Sequence, residues 1–464
     1  MFDFPHTPET EFDFAAYAPA PGHLTLDQTQ LLQPGQLQVA AQLSQPIHHH
    51  QKRWQVYLNA LALSGFKNWL ESRDNNLDVQ SSQCSLTKPE VAAEIDAVCH
   101  LTVGEFSVCL VAMTKTVDEV IALPRAIFDL PEYAAQYYVL VGVQEEVEAT
   151  ALYGFFSYQD WCQYQSSNPL IPQADWTYLV PLNWFDAETD RLLLHLCCLD
   201  AATMPLPAAP NRKTLLSGQK SELVNTLPRL LQAQAGTGMP PLWQILTWQQ
   251  AEVVLAQPQL LRWIYATSAG NQQQPDPKRV KHLSDLLNLL TQPAINVARW
   301  LQQGLDEVAT QLSWQLLPDV MPATALRSGS ALRLAGEYAE VIQSLQEQGE
   351  DIPDQTSMAY QDFQLDNVAL RLCAMTWATP SIEQPGWTLI LVVGCPTGVD
   401  LSQNLMLRIS DADDILVEEN LSPKDEYSYL FARVSGDLDE QFIATVGLET
   451  GNEVTWPPFK FVAD

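Results

Sequence analysis

Apolar side chains recur at helical spacing in residues 53–73, RWQVYLNALALSGFKNWLESR, the first strongly patterned segment of the chain. Trp54, Leu58, Leu61 and Phe66 are spaced so that they fall on one face of a helix. The segment therefore predicts an amphipathic helix, and we expect its apolar face to pack under the sheet that follows.

Residues 1–51 lack this pattern and are rich in proline, glutamine and other polar residues. Their six prolines interrupt any long helix, so the segment is predicted to be a flexible arm. It ends in three consecutive histidines, residues 48–50. Adjacent side chains do not converge on a metal ion in regular backbone, which favours a linker over a metal site.

Apolar and polar residues alternate with a period of two from Glu94 onward, which is typical of β-strands. The first predicted strands cover residues 95–101, 106–113 and 117–123. The clearest β-hairpin joins residues 137–145 to residues 149–158 through a turn around 145–148. Residues 52–209 are therefore predicted to be one α+β domain, with a helix on a mostly antiparallel sheet.

Two later segments of this domain are less clearly patterned. Residues 178–184 predict an edge or late strand, because Pro181 cannot donate a hydrogen bond to a neighbouring strand. Residues 190–199 fit either a strand or a short helix.

Helical spacing returns in residues 210–360, which are predicted to be a helical region and linker. The candidate helices are residues 223–231, 243–255, 281–290 and a longer one at 296–317.

Residues 361–464 predict a β-sandwich, because short alternating segments separated by turn residues repeat along this part of the chain. The strands are predicted at residues 368–377, 388–393, 405–409, 415–418, 429–434 and 441–448, with a last edge strand within 456–462.

The charge and the cysteine content indicate which classes of partner and which cellular location to expect. The 55 acidic and 24 basic residues give a net charge of −31, which repels nucleic acids and anionic membranes, so we expect neither as a partner. We expect no signal peptide, because residues 1–14 lack a basic leader and an apolar core, and no apolar run is long enough to span a bilayer. The eight scattered cysteines include no CxxC pair and suggest reduced, buried thiols in a cytoplasmic protein.

Sequence motifs for phosphate loops and nucleophile elbows are missing from the chain. We therefore predict no catalytic residue, no cofactor and no metal ligand. Ser217 and Lys220 match S-x-x-K without its companion motifs. The acidic cluster at residues 411–414 predicts a solvated hairpin turn, because Ile415 occupies a position that a calcium loop needs for a ligand.

His195 and Cys197 are the one pair of candidate reactive side chains. On a strand they would share a face, which allows a thiolate–imidazole pair or a metal site. The surrounding run, RLLLHLCCL, is almost wholly apolar, so buried core residues are the favoured interpretation.

Aromatic side chains crowd residues 153–164. Core packing explains most of them. Trp161 and Tyr164 follow the predicted end of a strand, so they are our candidates for an exposed interaction surface.

Several blocks of the chain resemble the cyanobacterial proteins grouped as domain of unknown function 1822. The blocks are RWQVYLNALALSGFKNWLE, GEFSVCLVAM, LPRAIFDLPEYAAQYYVLVGVQ, LYGFFSYQDW, TYLVPLNWFD, ARWLQQGLDEVATQLSWQLL and GDLDEQFIATVGLETGNEVTWPPFKFV. The resemblance implies a soluble cyanobacterial protein and implies no activity or site residue.

The leading hypothesis for the function is a non-enzymatic scaffold or adaptor that binds a protein partner. The alternative is an enzyme or small-ligand-binding protein with an unfamiliar site in the N-terminal α+β domain. A third hypothesis is a regulator within a signalling or defence module.

Overall fold

The computed structural model describes residues 29–73, 77–114, 119–232, 239–269, 277–317, 341–379, 385–396, 401, 403–423 and 429–462. The chain divides into two compact units. The first contains Met1–Pro210 and Gly236–Gly270, and the second contains Asn211–Ala235 and Asn271–Asp464. The predicted limits of the four regions stay predictions.

The α-helices in chain order are α1 (Pro34–Ser44), α2 (His50–Glu71), α3 (Pro89–Ala92), α4 (Ala126–Asp129), α5 (Tyr158–Ser167), α6 (Thr189–Cys198), α7 (Arg212–Thr226), α8 (Trp248–Leu255), α9 (Pro258–Ala269), α10 (Pro277–Thr291) and α11 (Glu307–Gln311). None of the helices in the described ranges has the length and apolar character needed to cross a membrane.

The strands of the first unit are β1 (Thr29–Leu31), β2 (Val79–Gln80), β3 (Val98–Val103), β4 (Phe106–Met113), β5 (Val120–Pro124), β6 (Tyr137–Gln144), β7 (Ala149–Ser157) and β8 (Thr177–Pro181). The strands of the second unit are β9 (Ile295–Asn296), β10 (Gln315–Leu317), β11 (Ser357–Leu365), β12 (Val368–Thr379), β13 (Gly386–Gly394), β14 (Leu405–Ser410), β15 (Ile415–Leu421), β16 (Tyr429–Asp437), β17 (Gln441–Leu448), β18 (Glu453–Thr455) and β19 (Phe459–Lys460).

A mixed sheet with the order β1-β7-β6-β4-β3-β2 forms the centre of the first unit. Only β4 and β6 pair in parallel within this order, so the predicted mostly antiparallel sheet is confirmed. The predicted hairpin is also confirmed, since β6 and β7 pair antiparallel across a turn at Glu145–Val147.

Helix α2 confirms the predicted amphipathic helix and packs on this sheet. Leu58, Leu61 and Phe66 are buried in the core that the sheet also lines. Trp54, predicted on the same apolar face, is 43% exposed instead. The helix approaches the sheet closely at Gly65, where an added Cβ would lie 1.9 Å from Thr150 Oγ1.

Part of the predicted flexible arm is regular structure. Residues 29–51 contain β1, α1 and the start of α2, whereas residues 1–28 lie outside the described residues. Pro34 stands at the start of α1, where proline favours a helix because the first turn needs no N–H donor. The backbone N–H of Gln33 donates to Gln36 Oε1 at 2.9 Å and caps this start. The prediction that Pro34 interrupts a helix is therefore wrong, because the proline stands at the first position of α1.

The two less clear segments of the N-terminal region take definite forms. Strand β8 pairs only with β5 in a two-stranded sheet, which confirms the predicted edge strand. Residues 190–199 are helical as α6, which resolves the open alternative.

The second unit contains two sheets. One has the order β10-β11-β12-β13-β16 and is antiparallel throughout, and the other has the order β15-β14-β17-β19-β9, with β18 paired to β17. The six strands predicted between residues 368 and 448 are confirmed as β12 to β17. Their arrangement as a sandwich stays a prediction.

The long helix predicted over residues 296–317 is wrong. This segment contains a short 3-10 helix at Val297–Gln302, then α11 and then β10. Gln303 and Ser313 have φ values of 57° and 63°, and such left-handed residues end a right-handed helix. The apolar spacing instead buries Trp300 and Trp314, whose rings both contact Phe459.

Candidate functional site

Trp161 and Tyr164, the predicted interaction surface, lie on α5. Trp161 is only 5% exposed and stacks on Phe128 with a centroid distance of 3.9 Å, so the prediction that its ring is exposed is wrong. Tyr164 is half-buried and stacks on Trp184 at 4.5 Å. Ser157 caps α5 directly after β7, and the helix then turns Trp161 back into the core. A role of either residue in binding a partner stays a prediction.

His195 and Cys197 do not share a face. Both lie on α6, where residues two apart point about 200° away from each other. His195 is half-buried, with its ring centroid 5.8 Å from those of Tyr137 and Phe155, whereas Cys197 is exposed. The prediction that the two side chains share a face is therefore wrong, because it assumed that this segment is a strand.

The cysteines are only partly as predicted. Four thiols are buried, at Cys84, Cys99, Cys109 and Cys373, but Cys162, Cys197 and Cys198 are exposed and Cys395 is intermediate.

Other candidate residues occupy ordinary structural positions. Asp411 accepts the backbone N–H groups of Asp413 and Asp414, which confirms the predicted turn between β14 and β15. On α7, the Ser217 hydroxyl donates to a backbone carbonyl, and Lys220 donates to Asn288 at 2.6 Å. Among the described residues, no three His, Cys, Asp or Glu side chains are grouped so that they could hold a metal ion.

A recess of about 220 Å³ in the first unit brings together side chains from five separate stretches of the chain. These stretches are the start of α2, the segment before β3, the end of β5, the start of β8 and the segment around α8. Its volume is below the 300–1,000 Å³ that is usual for drug-sized ligands. It therefore suits a small molecule or a single side chain.

Three tryptophans, Trp176, Trp243 and Trp248, contribute to the wall of this recess. The rings of Trp176 and Trp248 meet edge to face, with centroids 5.6 Å apart and planes at 74°. The Arg125 guanidinium lies over the Trp248 ring at 4.1 Å. The buried Nε1 of Trp248 has no hydrogen-bond partner among the residues that the structure describes. A buried donor of this kind is costly unless something accepts from it.

The backbone of Trp176 is strained, because its φ of 61° is rare for a bulky side chain. Two backbone hydrogen bonds fix this conformation. The N–H of Arg125 donates to Trp176 O at 2.8 Å, and the N–H of Trp176 donates to Gln173 O at 3.1 Å. Strain of this kind clusters at ligand clamps and active sites. The strained backbone sets the direction of the indole at the residue that precedes β8.

The carboxylates of the recess differ in their environments. Lys52 Nζ pairs with Glu94 Oε1 at 2.8 Å, and Asp175 Oδ1 accepts from the Thr177 hydroxyl at 2.7 Å. No described side chain forms an ion pair with Asp96.

Desolvation raises the pKa of Asp96 to about 6, while Lys52 opposes the rise and Glu94 adds to it. Asp96 is nevertheless exposed, because a carboxylate in a recess can touch water while protein surrounds its other sides. An accessible carboxylate with a strongly shifted pKa is a mark of functional sites.

A larger recess of about 1230 Å³ lies beside β12, β13 and β16 in the second unit. Several of its polar groups have partners: Thr388 Oγ1 lies 2.8 Å from Ser435 Oγ and 3.2 Å from Thr379 Oγ1. Arg433 likewise pairs with Glu350 at 2.8 Å. The smaller recess combines three tryptophans with a carboxylate of raised pKa, so it is the better candidate site.

Sequence reasoning missed this site. Glu94 and Asp96 stand in a mostly apolar run, AAEIDAVCHL, and this pair of acids was the available signal. No comparable signal came from the three tryptophans, because isolated tryptophans are ordinary core residues; they are Trp176, Trp243 and Trp248.

Comparison with known proteins gave one match. The model of a family described as "Protein of unknown function (DUF1822)" matches residues 31–453. No curated protein and no solved structure matches the chain.

Proposed function

The chain belongs to the DUF1822 family, whose description assigns no function, and from its geometry we propose that it is a small-ligand-binding protein. The recess walled by Trp176, Trp243 and Trp248 is the proposed binding site. This proposal corresponds to the alternative from the sequence, a small-ligand site in the N-terminal α+β domain.

One observation carries the proposal. Asp96 is an accessible carboxylate with a raised pKa, and it opens into the same recess as Trp176, whose strained backbone directs an indole there. A fold that only had to be stable would gain nothing from a desolvated carboxylate or a strained tryptophan. Binding of a ligand would account for both the raised pKa of Asp96 and the strained backbone of Trp176.

The proposal is binding: the described lining holds no serine, cysteine or histidine, Lys52 is paired with Glu94, and the Thr177 hydroxyl donates to Asp175. A second candidate is proton transfer to or from the ligand by Asp96, since a pKa of about 6 suits a general acid or base near neutral pH. Recovery of the ligand unchanged after long incubation with the protein would exclude that candidate.

The finer predictions from the sequence remain proposals. We propose a cytoplasmic location on the scattered cysteines, which include no CxxC pair, and a cyanobacterial origin on the resemblance. The β-sandwich in the second unit is supported by a single core to which both sheets contribute, including Leu391 of β13 and Val446 of β17. The adaptor role has less support, because the ring of Trp161, which was predicted to be exposed, is buried.

The test is ligand-observed NMR on the full chain with a panel of small molecules: choline, glucose, indole and acetate. We compare the wild type with Trp243→Ala, which removes a ring that is 39% exposed in the recess. The matched control is Trp54→Ala, which removes an equally exposed ring on α2, outside the recess lining.

A panel member that binds the wild type and Trp54→Ala but not Trp243→Ala supports the proposal. If no panel member shows this dependence, the recess is not a small-ligand site of this chemistry and the proposal fails.

A further inference from the structure

We propose that the ligand of this recess carries a quaternary ammonium group, which the indoles of Trp176, Trp243 and Trp248 surround and the Asp96 carboxylate balances. This inference rests on the proposed function and names the chemical class of the ligand.

The charges of the lining favour a cation. One ammonium, from Lys52, and three carboxylates, from Glu94, Asp96 and Asp175, line the recess. Lys52 is already paired with Glu94 at 2.8 Å. An anionic ligand would therefore meet an excess of negative charge, whereas a cation would be attracted.

The Arg125 guanidinium lies near the recess, and a carboxylate already balances its charge. It pairs with Asp129 at 2.6 Å while it lies over the Trp248 ring. Its charge is thus balanced outside the recess lining. The same contact shows cation–π geometry on an indole of this wall.

The indole walls favour a quaternary over a primary ammonium. A primary ammonium has three N–H donors that need acceptors, whereas indole N–H groups only donate. Of the three carboxylates in the lining, Glu94 already pairs with Lys52. Asp175 already accepts from the Thr177 hydroxyl, so Asp96 is the main acceptor on offer. A quaternary ammonium has no N–H to satisfy, and its methyl groups fill space against aromatic faces. Aromatic faces around one carboxylate are the recognised way in which proteins bind such groups.

The small size of the recess fits this class of ligand. About 220 Å³ accommodates a head group the size of choline and is small for a whole nucleotide.

The experiment is isothermal titration calorimetry of the full chain at pH 7.5, with choline and with 3,3-dimethyl-1-butanol. The second compound replaces the nitrogen of choline by carbon, so it has the same shape and no charge. We expect choline to bind at least about tenfold more tightly, because cation–π contacts and the carboxylate act only on the charged compound.

Two variants locate the effect. Asp96→Asn should weaken choline about tenfold and leave the neutral compound unchanged, because it removes only the charge. Trp243→Ala should weaken choline about 2- to 30-fold, the range for loss of one cation–π contact. The control Trp54→Ala should bind like the wild type. Far-UV circular dichroism and thermal unfolding confirm that each variant is folded.

Equal binding of choline and its neutral isostere, or no binding of choline, would overturn the ammonium inference. Failure of the inference is distinguishable from failure of the proposed function. If glucose, indole or acetate binds and depends on Trp243, the recess is still a ligand site and only the ligand class is wrong.

Discussion

Replacement of Trp161 by alanine tests whether this ring supports the core or an exposed surface. The indole is 5% exposed and contacts three other aromatic rings, with centroid distances of 3.9 Å to Phe128, 5.1 Å to Tyr178 and 6.2 Å to Trp184. Removal of a buried tryptophan side chain costs about 3–5 kcal/mol, since transfer free energy is lost and a cavity remains. For a unit of this size the midpoint of thermal unfolding should fall by about 6–20 °C.

The assay is urea unfolding followed by far-UV and near-UV circular dichroism, with Trp54→Ala as the control. Trp54 is 43% exposed, so its loss should change the free energy of unfolding by less than about 1 kcal/mol. The chain has two compact units, so we expect the effect of Trp161→Ala in the transition of the first unit.

A Trp161→Ala variant as stable as Trp54→Ala would refute this reasoning. It would show that the ring contributes no core packing, and it would restore Trp161 as a candidate interaction surface. If the variant is strongly destabilised, loss of a protein partner on this substitution reports unfolding and not a contact.

Three further predictions concern close packing, a buried ion pair and pH. Gly65→Ala should lower the free energy of unfolding by about 1–3 kcal/mol in urea titrations despite the better helix propensity of alanine, because the new Cβ would lie 1.9 Å from Thr150 Oγ1; an unchanged or higher stability would contradict this packing. Asp285→Ala should cost about 1–3 kcal/mol in the same assay, because Arg408, 2% exposed, loses its partner at 2.8 Å and keeps only Glu453 at 2.9 Å as a close carboxylate; a loss below about 1 kcal/mol would show that Glu453 or water replaces the lost contact. The pKa of Asp96 rises from 3.8 to about 6 on folding, so the folded state holds its proton more tightly than the unfolded state, and stability should fall as pH rises between these values. Asp96→Asn should remove that part of the fall in thermal unfolding measured from pH 4 to pH 7, and a wild-type curve with the same slope as the variant would contradict the raised pKa.

The strands of the second unit were predictable because their signal is local. Alternating or continuously apolar runs between turn residues located β12 to β17, and strands such as β13 and β17 are buried along nearly their whole length. The hairpin of β6 and β7 was predictable for the same reason, with a short turn between two apolar runs. Their partners across a sheet were not, because pairing of β13 with β16 depends on contacts far apart in the chain.

The failures have physical causes at particular residues. In residues 296–317 the apolar positions fit a helix, but φ values of 57° at Gln303 and 63° at Ser313 break it into shorter elements. Neither residue is a glycine, so the residue type at these positions does not predict a left-handed conformation. In the run RLLLHLCCL nearly every position is apolar, so no period distinguishes a strand from a helix such as α6.

The recess could not have been predicted, because no stretch of the chain contains more than a fragment of it. Lys52, Asp96, Trp176 and Trp248 meet only after α2, the segment before β3, β8 and α8 have taken their places. Each residue taken alone has an ordinary explanation as surface charge or core.

Two local features of the recess lower the stability of the fold. A tryptophan with φ of 61° costs free energy that a glycine at position 176 would not, and the buried Nε1 of Trp248 lacks an acceptor among the described residues. Single departures also occur elsewhere in the first unit: His100 and Glu148 have φ values of 58° and 51°, and the buried Nε1 of Trp69 lacks a partner among the described residues. At the recess two such departures occur beside a carboxylate of raised pKa, and this combination is the reason for proposing a binding site there.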